Sequence, residues 1–273
     1  MKSRAYFKRY FSKITNDVHK IELFRRFECN LHRIMKLVHC GKLLGPIGEY
    51  ATAFALQTPY LGSYTSHMGP VEYLSNRFSQ NPALYPEFEG CLHSGLQCPI
   101  TNVNNPPYDF IHPEDNTHGL NVKTVVNNEL YKITPGRIGQ TSVQRFCKIF
   151  GLEDPSQMKE YIQTNPHILL DAYFKNAFEY PILLYHAKRD HCLLLRRAPQ
   201  TFVPWHRFSY GFSHQRNKID WNESSSLSVI RHGIASSPIG EFQIHSHRNC
   251  VKFRFSIRNL LLYFPEYFRV EHW

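Results

Sequence analysis

The stretch PYDFIHPEDNTHGLNVKTVV, Pro107 to Val126, decides how this chain is read. Two short apolar runs, Tyr108–Ile111 and Leu120–Val126, flank HPEDNTHG, whose Pro, Asp, Asn and Gly supply turn chemistry, so the stretch predicts a β-hairpin. Side chains alternate between the two faces of a strand. Asp109 on the first strand and Asn121 and Lys123 on the second therefore share one side, while Phe110 and Val122 enter the opposite layer. Placing such a trio beside a core is costly unless it is compensated. Phosphodiester hydrolysis gives it a use: an Asp and a second oxygen ligand hold a divalent ion, and a Lys orients or activates water and offsets charge on the pentavalent phosphorus.

Upstream, Val18, Ile21, Phe24, Phe27, Leu31, Ile34, Leu37 and Val38 recur at helical spacing and predict one or two amphipathic helices over 17–44. Gly41, Gly45 and Pro46 interrupt them, and IGEYATAFAL (Ile47–Leu56) resumes a helix carrying Gly48-Glu49-Tyr50. From Thr58 to Pro107 the chain is rich in Pro, Gly, Asn, Ser and Tyr, which predicts a long surface excursion with a short helix near Val71–Phe78. Downstream, TPGRIGQTS (Thr134–Ser142) reads either as a phosphate-cradling loop ahead of a helix or as a plain loop and N-cap. Its candidate contacts are Arg137, Gln140, Thr141 and Ser142. A helix begins near Ser142 and is closed by Gly151, and another covers 155–163 with Asp154 or Ser156 as its cap. YPILLY (Tyr180–Tyr185) and CLLLR (Cys192–Arg196) read as buried strands joined by a turn. The last 70 or so residues alternate, as in EFQIH and VKFRFSI, and predict strands with basic residues on one face, closed by an apolar piece over 259–268.

The chain has 273 residues, 32 Lys and Arg against 22 Asp and Glu, and 42% hydrophobic residues. That balance excludes a disordered tail or a fibrous repeat, and the net charge of +10 suggests a polyanionic partner. No stretch reaches the roughly 18 to 20 uninterrupted apolar residues of a membrane span. The basic N-terminus, MKSRAYFKRYFSKI, has no apolar h-region of the secretory kind and reads as a first helix or a charged arm, with a transit sequence as the weaker alternative. Seven cysteines at irregular spacings read as reduced thiols, which predicts a soluble, cytoplasmic protein.

On Pro107, Asp109, Asn121, Lys123 and Thr124, with Glu49 on the preceding helix, the chain resembles the PD-(D/E)-x-K nuclease superfamily, and within it the type II restriction endonucleases. The resemblance implies Asp109 as principal metal ligand, Lys123 as catalytic lysine and Glu49 as an outer or direct metal-site carboxylate, with Mg²⁺ as cofactor. Asn121 stands where the pattern prefers Asp or Glu; its amide carbonyl can still ligate a cation but adds no negative charge. The stretches RNKIDWNESSSLSVI and IGEFQIHSHRNCVKFRF look like the distal half of such enzymes and carry side chains that hold phosphates and read base edges. Arg216, Asn217, Lys218, Arg248, Asn249, Lys252 and Arg254 are the candidate DNA contacts there. Glu241-x-Gln243, with Asp220 as a conceivable partner, is a weaker alternative half of an active site.

Three other readings compete. Asn105-Pro106-Pro107-Tyr108 is the NPPY tetrapeptide of DNA amino-methyltransferases, but no glycine-rich strand-loop for S-adenosylmethionine precedes it. Cys91-x-His93-x(4)-Cys98 and His245-x-His247-x(2)-Cys250 contain possible zinc ligands without the paired CxxC spacing. A non-catalytic DNA-binding protein would explain the charge and leave Glu49, Asp109 and Lys123 without a role. The preferred expectation is an α/β fold with a restriction-endonuclease-like mixed central sheet flanked by helices and a β-rich C-terminal part. It forms one nuclease domain over 1–273: a helical part (1–56), a catalytic core (57–200) and a DNA-contacting part (201–273). Its expected partners are double-stranded DNA, a second copy in a homodimer, and a cognate DNA methyltransferase as the other half of its system.

Overall fold

The computed structural model describes residues 48–50, 52–53, 56–62, 87–94, 108–125, 132–186, 191–199, 202–214, 225–245 and 249–272. The expected helices over 17–44 and 71–78 lie outside the described residues. In chain order the strands are β1 (Leu92–His93), β2 (Phe110–Ile111), β3 (Gly119–Val125), β4 (Lys132–Ile133), β5 (Gln140–Ser142), β6 (Ile182–His186) and β7 (His191–Arg197). They continue as β8 (Ser209–His214), β9 (Ser225–Arg231), β10 (Ile234–Ala235), β11 (Gly240–His245), β12 (Cys250–Ser256) and β13 (Phe268–His272). The helices are α1 (Val143–Phe150), α2 (Met158–Thr164), α3 (Pro166–Ala177) and α4 (Ile257–Tyr263).

Two sheets result. The first is six-stranded in the order β1-β2-β3-β6-β7-β13 and is mixed: β3 and β6 run parallel, with Asn121 beside Ile182 and Lys123 beside Leu184, and its other pairs are antiparallel. A parallel pair needs a long crossover, and here β4, β5 and α1–α3 supply it. The second sheet has seven strands, with β10-β9-β11-β12-β4 as its path, β5 also on β12 and β8 also on β9. The β-rich C-terminal part thus supplies β8–β12 to a second sheet, to which the 132–142 segment adds two strands, while β13 returns to the first sheet beside β7.

α3 ties the sheets together. Its buried positions Pro166, Leu169, Leu170, Tyr173, Phe174 and Ala177 recur every three or four residues. Tyr173 stacks on Phe253 of β12 at 4.4 Å, while Phe174 meets Phe268 of β13 at 5.7 Å. In the sequence Ile168–Leu170 reads only as a short apolar run; it is the middle of this helix, whose period is masked by aromatic residues on its buried face. One apolar cluster joins Val125, Ile182, Leu184, Leu193 and Leu195 of the first sheet to Leu227, Phe242, Val251, Phe253 and Phe255 of the second. Among the described residues no helix is long and apolar enough to cross a membrane.

Local signals place α1 and the start of α2 where the sequence puts them. Ser142 caps α1, its Oγ accepting the Arg145 amide at 3.2 Å, and Gly151 ends it at φ +70°, where a Cβ would be strained. Asp154 caps the 3₁₀ turn Pro155–Gln157 that leads into α2. Gln140–Ser142, expected as loop, is a strand instead, because β12 pairs with it through Lys252–Gln140 and Cys250–Ser142.

Candidate active site

Asp109 sits where β2 and β3 part. Its amide donates to Leu120 O at 2.9 Å and its carbonyl accepts from Ser94 N at 2.9 Å, so its backbone is fixed on both sides. Beyond the Leu120–Phe110 pair, β2 offers no further carbonyl to β3. The Asp109 carboxylate takes over: Oδ2 accepts the Val122 amide at 2.6 Å and Lys123 Nζ at 3.2 Å. Lys123 Nζ also donates to Val122 O at 3.1 Å. Both side chains are partly open, 22% for Asp109 and 27% for Lys123. Asn121, two residues before Lys123 on the same face, is 6% exposed, and its backbone amide donates to Pro181 O at 2.8 Å.

The faces follow from register. Ile182 and Leu184, side by side with Asn121 and Lys123, belong to the shared core, so the polar trio lies on the face that α3 and the second sheet cover. Phe110, Leu120 and Val122 occupy the opposite face, as the alternation requires. The helical turn at 48–53 packs on that second face. A Cβ on Gly48 would stand 2.3 Å from Thr124 Oγ1 and 3.2 Å from Val122 Cγ1, so only glycine permits this approach.

Glu49 therefore comes to β3 from the side away from Asn121 and Lys123. Its Oε2 lies 3.3 Å from His93 Nε2. The Leu61 amide donates to His93 Nδ1 at 3.1 Å, which makes Nδ1 the acceptor and leaves Nε2 to carry the proton given to Glu49. His93 is 3% exposed, lies edge-on to Phe110 at 5.1 Å and is covered by Tyr60 at 4.7 Å. The sequence shows His93 only as part of a zinc-like spacing. Its bond to a residue 44 positions away has no local signature.

The hairpin suits a hard cation better than zinc. Asp109 Oδ1 and the Asn121 carbonyl are oxygen donors, the ligand type Mg²⁺ takes, with water and phosphate oxygens completing its shell. Among the described residues no group of three or more His, Cys, Asp or Glu side chains could hold a metal. Cys91 has its thiol pushed up to about 11 by burial and then by Glu87, which disfavours the thiolate that zinc needs. Cys91, Cys147 and Cys250 are free thiols. Cys98 and His247 lie outside the described residues. Of the NPPY tetrapeptide only Tyr108 is described; it is 5% exposed and packed edge-on against Tyr180 at 5.4 Å, a placement unlike an open base-stacking platform.

Among the described residues, the basic candidates Lys252 and Arg254 lie on the second sheet. β12 alternates, with Val251, Phe253 and Phe255 in the core and Lys252 and Arg254 on the other face beside Gln140 and Ser142 of β5. Thr141 turns inward, its Oγ1 buried without a partner among the described residues. Arg137 is held by its amide, which donates to Asn176 Oδ1 at 3.1 Å, and Asn249, at φ +46°, donates to Gln144 Oε1 at 2.9 Å. Arg216, Asn217, Lys218, Arg248 and Asp220 lie outside the described residues. Lys132 Nζ at 2.5 Å and Arg254 Nη2 at 3.1 Å hold the Glu241 carboxylate.

A curated relative, the type II restriction enzyme CviAII of Paramecium bursaria Chlorella virus 1, is 27% identical to this chain over 230 residues. The match takes in 83% of this chain and 61% of the relative, so the chain spans about three fifths of the length of the protein it matches. That relative is a type II restriction enzyme, the class that the hairpin motif resembles. No family model matches the chain, and no solved structure does.

Proposed function

We propose that this chain is a site-specific endonuclease that cleaves double-stranded DNA, a type II restriction enzyme acting by metal-assisted hydrolysis of a phosphodiester. The observation that carries the reading is the Asp109–Lys123 pair at the parting of β2 and β3, and the likeness to a type II restriction enzyme supports it. Asp109 Oδ1 and the Asn121 carbonyl would hold a divalent ion, Mg²⁺ in this reading. When bound, the ion polarises the scissile phosphate and lowers the pKa of a water.

Lys123 does the rest of the positioning. Two of its three N–H donors are anchored, on Asp109 Oδ2 and Val122 O, which leaves one to orient the attacking water and sets a positive charge beside the phosphorus. Glu49 stays in the proposal as a supporting carboxylate, acting indirectly from the far face of β3 through His93. Arg137, Gln140, Ser142, Arg216, Asn217, Lys218, Arg248, Asn249, Lys252 and Arg254 form the proposed DNA contacts; Thr141, whose side chain turns inward, stays among them through its backbone alone. The whole chain works as one nuclease domain and pairs as a homodimer, since two-fold copies match the two strands of a palindrome. A cognate DNA methyltransferase would protect the host sites.

The test is incubation of the purified chain with unmodified phage or plasmid DNA, in Mg²⁺ and in EDTA. Discrete fragments in Mg²⁺ alone are expected. Intact DNA in both, across several phage genomes, would overturn the reading.

A further inference from the structure

The outer face of the second sheet carries a second organised polar cluster that the proposed cleavage chemistry does not use. Glu241 on β11 is opposite Arg254 on β12, and Gln243 is opposite Lys252. The Glu241 side chain is only 8% exposed although the face around it is polar. It lies under three donors: Lys132 Nζ at 2.5 Å, Arg254 Nη2 at 3.1 and 3.2 Å from its two oxygens, and Gln243 Nε2 at 3.0 Å. Lys132 and Arg254 keep about a quarter of their side chains open.

A carboxylate beneath two cations stays ionised and only accepts. The end of the Gln243 amide that faces it must then be the NH₂, which fixes the orientation of the amide on chemical grounds. The carbonyl Oε1 is left with no partner among the described residues. Gln243 is partly open and flanked across the sheet by Lys252, itself next to Gln140. The face thus presents a preset acceptor set among Lys132, Lys252 and Arg254, whose three positive charges outweigh the single negative charge of Glu241. A strand face with a fixed acceptor among cations suits the major groove: phosphates meet the cations, and the acceptor meets an exocyclic amino group, adenine N6 or cytosine N4.

We propose that Gln243 is a specificity-determining residue that accepts a hydrogen bond from a base amino group, and that Glu241 is a positioning residue that locks the Gln243 amide with its carbonyl outward. Lys132, Lys252 and Arg254 hold the adjoining phosphates. This rests on the proposed DNA cleavage, which it deepens by naming a base-reading group.

The test is to map the ends of fragments cut from phage DNA by the wild-type full chain and by the Q243M, E241Q and K252M variants, with thermal melts of each. Q243M keeps side-chain length and loses the acceptor. At one position of the cut sequence, its preference for adenine or cytosine should fall roughly tenfold or more. E241Q frees the amide to turn over and should relax the same position. K252M should weaken binding to all sequences alike and reduce its salt dependence by about one ion, leaving the preference intact. If Q243M fails to fold, Q243N is the second variant; its shortened side chain draws the acceptor back and should relax the same position. Unchanged base preference in a folded Gln243 variant and in E241Q overturns the inference, whatever happens to their melting temperatures. A wild type that cuts no DNA overturns the cleavage reading and this inference together, whereas one that cuts with variant-independent preference overturns this inference alone.

Discussion

Asp109 Oδ2 lies 2.6 Å from the Val122 amide and 3.2 Å from Lys123 Nζ, so a single oxygen both finishes the β2–β3 ladder and holds the lysine. Structure and proposed chemistry meet on one carboxylate, and substitutions can separate them.

Asp109→Asn keeps an oxygen that can accept the Val122 amide but removes the charge. DNA cleavage should fall by at least about two orders of magnitude, as loss of a group that stabilises developing charge does, with little change in melting temperature. Asp109→Ala should lose cleavage equally and in addition destabilise the chain by about 1–3 kcal/mol, because the partly buried Val122 N–H loses its acceptor. Cleavage rates, DNA binding in Ca²⁺ and thermal melts of both variants check this. Full activity in either variant would falsify the role of Asp109.

Lys123→Met retains most of the aliphatic stem and loses the ammonium. Cleavage should drop while binding of DNA persists, because the lysine acts on water and developing charge rather than on the duplex as a whole. Single-turnover rates against binding isotherms separate the two; parallel loss of both would place Lys123 in binding instead.

Glu49 and His93 should behave as one unit. In a double-mutant cycle with Glu49→Gln and His93→Phe, a coupling of about 1 kcal/mol in folding stability is expected, since His93 is buried and donates to Glu49. The loss of cleavage in Glu49→Gln should be smaller than in Asp109→Asn, since Glu49 reaches β3 from the face opposite Lys123. Equal losses would make Glu49 a direct ligand.

Lys252 gives a pH dependence. Burial, and next the neighbouring Arg254, lower the pKa of its ammonium, while Cys250 and Glu241 act the other way; Gln243 and Gln140 flank it without charge. A phosphate placed there would raise that pKa again, so DNA binding takes up a proton where the pH approaches or exceeds the lowered pKa. Affinity should be greatest below the lowered pKa and fall as pH rises through it. Binding measured from neutral to alkaline pH should show this decline in the wild type and a flatter profile in K252M.

Phe253→Ala should cost about 3–5 kcal/mol, because Phe253 is fully buried and stacks on Tyr173 between the two sheets. A chemical denaturation midpoint measures it. A loss under 1 kcal/mol would mean that the sheets do not depend on each other for stability.

Much of the site was legible from local patterning. Asp109, Asn121 and Lys123 fall on one face because turn residues at 112–119 fix a hairpin and strand periodicity does the rest. The same periodicity sorts Lys252 and Arg254 from Phe253 and Phe255. The caps Ser142 and Asp154 were readable for the same reason: their bonds span two or three residues.

Relations across long stretches of chain had no such signature. No pattern in the sequence separates one central sheet from two, since that depends on which strand edges meet; β5 joined the second sheet only because β12 lies beside it. The pairing of Glu49 with His93, the side from which Glu49 approaches β3, and the burial of Glu241 beneath Lys132 and Arg254 are likewise set by packing between segments 13 to 109 residues apart. The hairpin, the alternation of its faces and the chemistry of their side chains follow from backbone periodicity and residue type, and so are present in the amino-acid order. Which of these side chains meet was settled by folding, because burial and electrostatic pairing act between surfaces that folding brings together.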